Sequence, residues 1–345
     1  MSGNLRLLIV MLLFVAFSTL VCACGDGGDA GIDGDSEPEL SDGDADLPEN
    51  ETPADGDSED EAESDFEAES VENGEEAGDM QLRIMSFNLR LGVAPDGENH
   101  WSKRKSIVIN FLNAETPDVF GIQEGWEFQL EDIVNGVPGY AWVGVSRNNN
   151  ILDEFSAILY RTGRFDVLES NTFWLSDTPE EPGTKFSDQQ SCVRICTWAH
   201  LYDRESGRDF YAFNTHYDYV TADEIQEKSS ALIATRIKEI AGDKPVFLTG
   251  DFNVPVGSDA YLILTGGMQY EGAGLELYDP WTELGVAEEG SFHDFTGVAT
   301  SDSRIDWILH SAHFSAVSAE VEHYSEEGFY PSDHFPISAE IEIVQ

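Results

Sequence analysis

Beyond residue 80, short apolar runs alternate with longer segments in which apolar side chains recur every three or four positions. The short runs have the length of buried strands, and the longer segments have the spacing of amphipathic helices. In residues 103–114, for example, Ile107, Val108 and Phe111 fall on one helical face. The pattern predicts helices at 103–114 and 223–241, and strands at 82–88, 119–123, 155–161, 164–169, 196–203, 209–215, 246–249, 304–310, 316–324 and 337–343.

Two pairs of these strands are separated only by short polar turns, which predicts hairpins. Thr162-Gly163 separates the first pair, at 155–161 and 164–169, and residues 204–208 separate the second. Because hairpins are mixed with helices, we predict an α/β fold in which two β-sheets pack together with helices outside. The roughly 265 residues from 80 to 345 suit one such domain.

The first 24 residues have the pattern of an export signal. Arg6 precedes an apolar run at residues 7–21, which at about 15 residues is short for a membrane span. Residues 21–24 resemble a bacterial lipobox, so we expect cleavage before Cys24 and a lipid on that cysteine. An ordinary signal peptide is the alternative. Either way the protein is expected to be exported, as an envelope lipoprotein or in secreted form.

Acidic residues dominate the next segment and the chain as a whole. The sequence has 67 acidic and 18 basic side chains, and about 24 of the acids lie at residues 25–79, where Lys and Arg are absent. That segment has few large apolar residues, so we expect a disordered tether. The domain at 80–345 keeps a charge of roughly −26, which disfavours a protein that binds nucleic acid through phosphate contacts. The charge does not exclude a metal-assisted enzyme, because the ion supplies local positive charge.

Polar residues suited to chemistry follow many of the predicted strands. Because polar side chains at the ends of neighbouring buried strands meet on one rim, we expect them to form a site. They are Asn88, Glu124, His216, Asp251, Asn253, Asp306, Asp333 and His334. Each one alone also has an ordinary structural explanation, such as a strand-end cap, a turn or a solvated charge.

As a set, these residues match the needs of phosphodiester hydrolysis, which requires a cation, a base and neutral donors. Glu124 is the natural ligand for a hard metal ion, and Asn88 and Asn253 can orient water or phosphate without adding charge. Asp251 can position or deprotonate water, and His334 can take a proton or bind phosphate. Asp306 can hold the second ring nitrogen of His334.

Six segments in order resemble the endonuclease/exonuclease/phosphatase superfamily, which includes DNase I-like nucleases, sphingomyelinases, deadenylases and inositol polyphosphate 5-phosphatases. The segments are Met85-Ser86-Phe87-Asn88, Gly121-Ile122-Gln123-Glu124, Phe213-Asn214-Thr215-His216, Leu248-Thr249-Gly250-Asp251-Phe252-Asn253, Arg304-Ile305-Asp306-Trp307-Ile308 and Ser332-Asp333-His334-Phe335-Pro336. The resemblance implies a DNase I-like four-layer sandwich of two mixed sheets flanked by helices. It also implies a bound Mg²⁺ or Mn²⁺ ion.

The same resemblance implies a role for each site residue. Glu124 and Asn88 would hold the metal, with Asp333 near it. His216 would stabilise the phosphate or protonate the leaving group, and Asp251 and Asn253 would handle water and phosphate. Asp306 and His334 would form a coupled acid–histidine pair. The general base is either Asp251 or His334.

A closer resemblance, to small bacterial secreted members, rests on residues 154–160, 173–179 and 194–198. It leads us to expect that Tyr160 and Arg194 contact the substrate phosphate. Trp101 and Arg104 are expected to line the cleft. Substrate specificity is expected to lie in the loops at 92–100, 147–154, 177–194 and 265–284.

The predicted function is a metal-dependent phosphodiester hydrolase of the cell envelope that acts as a monomer without an obligate protein partner. A nuclease, of endonuclease or 3′–5′ exonuclease type, and a sphingomyelinase or phospholipid head-group hydrolase are the alternatives with the same chemistry. A non-catalytic surface binding protein on the same fold is the alternative from another class, and it predicts the loss of at least one key acid or histidine. None is lost.

Overall fold

The computed structural model describes residues 79–150, 152–220 and 223–344. The predicted export signal, the lipidated Cys24 and the acidic tether lie outside these residues. Within the described part of the chain, no helix is both long and apolar enough to cross a bilayer.

The ten predicted strands and two predicted helices occur close to their predicted positions, and the described residues contain one strand and three α-helices that were not predicted. In the described residues the strands are β1 (Gln81–Asn88), β2 (Val119–Gln123), β3 (Tyr140–Val143), β4 (Ile158–Arg161), β5 (Phe165–Trp174), β6 (Ile195–Asp203), β7 (Arg208–His216), β8 (Val246–Asp251), β9 (Asp306–His310), β10 (Phe314–Val321) and β11 (Ile337–Ile343). The helices are α1 (Trp101–Glu115), α2 (Glu127–Gly136), α3 (Asp223–Ala241), α4 (Asp259–Leu264) and α5 (Pro280–Leu284).

These strands form two mixed sheets, one with the order β10-β11-β1-β2-β4-β3 and the other with the order β5-β6-β7-β8-β9. Alternating side chains of β1 show how the layers arise. Ile84 belongs to the core between the sheets, whereas Met85 belongs to the core beneath α1 and α2. A third core lies between the second sheet and α3 and α4. The predicted four-layer α/β sandwich is therefore confirmed.

One predicted hairpin is wrong and the other is confirmed. β4 pairs with β2 and β3, whereas β5 pairs with β6 in the other sheet. The turn at Thr162-Gly163 therefore carries the chain between sheets, a change that local sequence does not reveal because either partner satisfies the same apolar pattern. β6 and β7 form the antiparallel pair that the sequence predicted.

Each sheet contains one parallel strand pair, and these pairs position the candidate residues. β1 runs parallel to β2, with Asn88 opposite Gln123. β7 runs parallel to β8, with His216 opposite Asp251. Neighbouring parallel strands end at the same edge of their sheet. Each pair therefore places polar residues side by side at that edge.

A buried amide, that of Asn214 on β7, joins the two sheets close to this edge. Its Nδ2 donates to the carbonyls of Ile122 and Ala157 at 2.8 Å and 3.0 Å. Its Oδ1 accepts from Gln123 at 2.7 Å and from Thr249 at 3.0 Å. These bonds satisfy every donor and acceptor of the amide away from water.

Gly121 makes this bridge possible. A Cβ atom at this position would lie 2.2 Å from both Asn214 Oδ1 and Thr249 Oγ1. The close approach of β2 to β7 therefore requires a residue without a side chain.

We predict that Asn214→Leu lowers the free energy of unfolding by about 2–4 kcal/mol, because it removes four hydrogen bonds from buried carbonyl, amide and hydroxyl groups on the two sides of the sandwich. Urea denaturation of the domain measures the change. Asn113→Ala is the matched control, since the Asn113 amide also donates to two backbone carbonyls but on an exposed surface. Equal effects of the two substitutions would show that the bridge does not stabilise the fold.

Candidate active site

The buried carboxylate of Asp251 lies at the centre of the site. Asp251 ends β8 and is 1% exposed. The Asn88 amide donates a 2.8 Å hydrogen bond to its Oδ2. The Nε2 atoms of His216 and His334 lie 3.4 Å and 3.8 Å from the same oxygen. Three predicted site residues therefore surround one oxygen atom of a fourth, Asp251.

Glu124 extends the site on the side of Asn88. It follows β2 directly and has a φ of 58°, in the left-handed region. Its carboxylate accepts from Asn88 Nδ2 at 3.2 Å and from the Leu91 N–H at 2.9 Å. Burial acts to raise the pKa of Glu124, but the Arg90 guanidinium and these hydrogen bonds outweigh it and lower that pKa. The group is therefore a carboxylate at neutral pH, linked to Asp251 through one amide.

Asp306 and His334 form the predicted acid–histidine pair. The Asp306 Oδ2 atom lies 2.8 Å from His334 Nδ1. Asp306 begins β9, and its backbone N–H donates to Ser291 Oγ at 3.3 Å. The Phe292 ring packs against the imidazole at a centroid distance of 5.0 Å. These contacts fix the ring plane and leave Nε2 facing Asp251.

Asn253 and Asp333 flank this centre. Asn253, with φ 55°, donates its backbone N–H to Asp251 Oδ1 at 3.0 Å and its amide to the Tyr217 carbonyl at 3.0 Å. Asp333 is buried, and its Oδ2 lies 3.6 Å from Arg90 Nε. The structure thus places both residues at the site, and the role of Asp333 as a metal ligand stays a prediction.

Three titratable groups at the centre have pKa values moved in different directions. Burial and the neighbouring Asp306 raise the pKa of Asp251 to about 7. Burial acts to lower the pKa of His334, but Asp306 and Asp251 outweigh it and raise that pKa to about 10. Burial and the Arg194 guanidinium lower the pKa of His216 well below its ordinary value. Groups displaced in this way, in one site, are typical of acid–base catalysis.

The donor set fits a hard divalent cation. Asp251, Asp306 and His334 each offer one ligand atom, and these atoms lie within 4.8 Å of one another. The Oδ1 atom of Asp306 is buried and has no hydrogen-bond partner in the structure, so it is free to act as a ligand. Glu124 adds a further carboxylate beyond Asn88. Oxygen donors predominate, which suits Mg²⁺ or Mn²⁺ better than a zinc site built from nitrogen and sulfur.

The prediction for Arg194 and that for Tyr160 have different outcomes. Arg194 is 5% exposed and lies beside His216, so the structure brings it to the site. Tyr160 pairs with Val119, which begins β2, whereas Glu124 follows the other end of that strand. Tyr160 packs against the core between the sheets. The structure therefore does not bring Tyr160 to the site, because strand register places it at the other end of β2.

Arg104 also has a different role from the expected one. Instead of lining the cleft it is 2% exposed, and its guanidinium donates to backbone carbonyls. The acceptors are Leu89, Arg90, Asn99 and Pro331. Arg104 thereby ties the loop after β1 to the loop that carries Asp333. Trp101 is buried as well and donates through Nε1 to Asp132 at 2.8 Å.

Sequence reasoning missed Arg90, a cation among the site's acids. Its guanidinium donates to both carboxylate oxygens of Asp96, at 3.0 Å and 2.9 Å, while Nε faces Asp333. The available signal was a basic residue two positions after a predicted strand end in an otherwise acidic chain. Arg147 and Glu154, in a loop expected to set specificity, were not singled out as individual residues either.

Comparison with known proteins places this geometry in a family. The model of the endonuclease/exonuclease/phosphatase family matches residues 85–334. A solved endonuclease/exonuclease/phosphatase from Bacteroides vulgatus is 35% identical, with a TM-score of 0.69 over 77% of this chain and 100% of that one. A mannosyl-6-phosphatase from Bacteroides thetaiotaomicron is 31% identical, with a TM-score of 0.66 over 75% of this chain and 99% of that one.

A more distant relative is Nocturnin from Drosophila melanogaster. It is 24% identical over 314 residues, which cover 76% of this chain and 47% of Nocturnin. The chain therefore spans about half the length of that protein. The matched residues of the family model run from the strand that ends in Asn88 to His334 itself and so enclose the whole site. On this evidence the chain belongs to the endonuclease/exonuclease/phosphatase family.

Proposed function

We propose that residues 80–345 form a divalent-metal-dependent hydrolase of phosphate esters. The observation that carries this proposal is the convergence of Asn88, His216 and His334 on the buried carboxylate of Asp251. A protein that only binds a ligand has no need of a carboxyl with a raised pKa between two histidines. The arrangement therefore supports catalysis over the binding-protein alternative.

Asp251 is suited to take the proton of the attacking water. With a pKa raised to about 7 by burial and Asp306, its carboxylate is a stronger base than an ordinary aspartate and is still ionised in part at neutral pH. The hydrogen bonds from Asn88 and Asn253 hold it in place. This supports Asp251 as the general base in preference to His334.

His334 is suited to bind negative charge, because it already carries a proton at neutral pH. Its Nδ1–H donates to Asp306, so Nε2–H remains for a phosphate oxygen. A fixed cation in a buried site stabilises charge that develops on the phosphate at small reorganisation cost. Asp306 thus orients the His334 ring and favours its protonated form, so that Nε2–H is a fixed, positively charged donor.

Divalent cations are general in this family, and we propose Mg²⁺ or Mn²⁺ here, held by Glu124 and Asn88 with the carboxylates of Asp251 and Asp306 beside them. When bound, such an ion supplies positive charge to the phosphate oxygens and the leaving group. Arg90 keeps Glu124 ionised and therefore ready to act as a ligand.

A phosphodiester is the substrate class proposed from the sequence. The 31% identity to a mannosyl-6-phosphatase favours a second candidate, a phosphate monoester carried on a sugar. Nucleic acid is the weaker proposal, because the domain has a charge of roughly −26 and repels a polyanion at long range.

The test of the proposed activity is a substrate panel on the purified domain with Mg²⁺ or Mn²⁺. It compares bis-p-nitrophenyl phosphate, mannose 6-phosphate, sphingomyelin, RNA and single-stranded DNA. We expect turnover of a small ester, complete loss with EDTA, and recovery when metal is restored. If no ester is hydrolysed under any of these conditions, the binding-protein alternative replaces the proposal.

We predict that Asp251→Asn and His334→Gln each lower kcat on the preferred substrate by about 10²–10⁴, the range for loss of a general base or a charge-stabilising donor. Circular dichroism confirms that the variants are folded. Asp209→Asn is the matched control, because Asp209 lies near the start of β7, away from His216, and pairs with Lys244. A control that loses as much activity as the site variants contradicts the assignment.

The raised pKa of His334 predicts how stability depends on pH in the metal-free protein. Since the folded pKa, about 10, exceeds the unfolded value near 6.5, the Asp306–His334 pair contributes stability below about pH 6.5 and loses it as the pH rises to about 10. The slope is at most about 1.4 kcal/mol per pH unit. Denaturation in EDTA at pH 6, 8 and 10, compared between wild type and His334→Gln, measures the effect. A stability difference that does not shrink with pH is inconsistent with a protonated His334.

We further propose that the full chain is exported and anchored by a lipid on Cys24. This rests on the sequence pattern of residues 1–24. We predict that Cys24→Ser moves the protein from the membrane fraction to the soluble fraction of a bacterial host. Cys196→Ser, which changes a buried thiol of the domain, is the control and leaves the protein in the membrane fraction. Retention of the Cys24→Ser variant in the membrane contradicts lipidation at this residue.

A further inference from the structure

Two buried side chains beside the reacting centre form an unusual pair. Arg194 is 5% exposed and His216 is 6% exposed. The Nη1 atom of Arg194 lies 2.9 Å from His216 Nδ1, which is the distance of a hydrogen bond. The other ring nitrogen, Nε2, faces Asp251 Oδ2 at 3.4 Å.

The chemistry of the guanidinium decides the direction of this hydrogen bond. Arginine has five N–H donors, no acceptor, and remains protonated in proteins. His216 Nδ1 therefore has to accept, which it can do only without a proton of its own. In a neutral imidazole the single proton then lies on Nε2.

We propose that Arg194 fixes His216 as a neutral imidazole with its proton on Nε2, so that His216 acts as a hydrogen-bond donor towards Asp251 and the substrate phosphate. Arg194 is then a positioning residue, since it acts through His216. The inference rests on the proposed function only for its catalytic consequence, because the tautomer exists whether or not the domain hydrolyses an ester.

The charged groups around His216 agree with this assignment. They are Arg194, before β6; Arg147 and Glu154, in the loop between β3 and β4; Asp251, at the end of β8; and His334, before β11. Burial, Arg194, His334 and Arg147 all lower the pKa of His216. A proton on Nδ1 would also turn the Arg194 contact into two opposed N–H groups, at the cost of a hydrogen bond.

Arg194 is itself held in place by a chain of ion pairs. Its Nη1 lies 3.8 Å from Glu154 Oε2, and the other oxygen of Glu154 pairs with Arg147 Nη2 at 2.9 Å. Arg147 Nε pairs in turn with Asp153 at 2.8 Å. Its carbonyl accepts from Trp174 Nε1 at 2.6 Å. The loop between β3 and β4 thus reaches the reacting centre through Glu154, Arg194 and His216.

The two histidines that face Asp251 consequently differ in whether Nδ1 carries a proton. His334 Nδ1 faces a carboxylate and carries a proton, whereas His216 Nδ1 faces a cation and does not. A neutral His216 that gave up its Nε2 proton would become an imidazolate, which is too basic to form beside Asp251. His216 therefore stabilises the phosphate, and the proton for the leaving group comes from another source.

The test is the protonation state of each ring nitrogen, read by NMR from protein labelled with ¹⁵N-histidine. The metal-free domain is measured between pH 6 and 8, and His216→Gln identifies the signals of His216. We expect a pyridine-type shift for Nδ1 and a pyrrole-type shift for Nε2, both constant over this range. A pyrrole-type Nδ1, or a titrating ring, in the wild type overturns the proposal.

Variants then test the role of Arg194. In Arg194→Met we expect His216 to lose its single tautomer, seen as averaged or titrating shifts. Arg194→Lys retains a cationic donor and restores the wild-type pattern. Arg161→Met is the control, because Arg161 is an exposed arginine that pairs with Asp118 far from His216. An unchanged wild-type pattern in Arg194→Met overturns the role of Arg194, and if that variant fails to fold, the wild-type and Arg194→Lys spectra decide.

An activity measurement adds a separate result. With any hydrolysed substrate, kcat falls by about tenfold or more in Arg194→Met and recovers largely in Arg194→Lys, since one well-placed donor contributes at least that much. A domain that hydrolyses nothing contradicts the proposed function but leaves the NMR result intact. Equal loss in both variants contradicts the donor role, because it shows that only the arginine side chain itself is tolerated.

Discussion

The candidate active site depends on two parallel strand pairs, one in each sheet, that end on the same side of the sandwich. β1 and β2 deliver Asn88 and the adjacent Glu124, and β7 and β8 deliver His216 and Asp251. Nothing within either sheet fixes its position relative to the other. Apolar packing between the sheets and the Asn214 amide, which bonds across them to Ile122 and Gln123, together hold that position. A shift of one residue would point the wrong side chains into the site.

Burying so many acids together is unfavourable, and the fold offsets this with cations of its own. Arg90 faces Asp333 and Asp96, and the imidazolium of His334 faces Asp306. Asp251 also faces the His334 ring, at 3.8 Å, but burial and Asp306 outweigh this contact and raise the pKa of Asp251 to about 7. Asp251 combines a raised pKa with a place at the centre of the site and is therefore well suited to accept a proton.

Much of this could be predicted from the sequence. The strand-end residues could be found because each follows an apolar run, and their order matches a family pattern. Tyr160 was misplaced because its position depends on register with β2. The partner of β5 was misassigned because a turn of two residues allows either a hairpin or a change of sheet. Arg147 and Glu154 escaped notice because their importance comes from contacts with Arg194, which is distant in sequence.

The placement of β1 determines when, during synthesis, the candidate site can be complete. β1 lies between β2 and β11, so one of its neighbours comes from nearby sequence and the other from the far end of the domain. His334 directly precedes that last strand, and Asp306 begins β9, two strands before it. A polypeptide synthesised only as far as α4 therefore lacks Asp306, Asp333 and His334, three of the eight candidate site residues. The candidate site is complete only when β11, the last strand, pairs with β1.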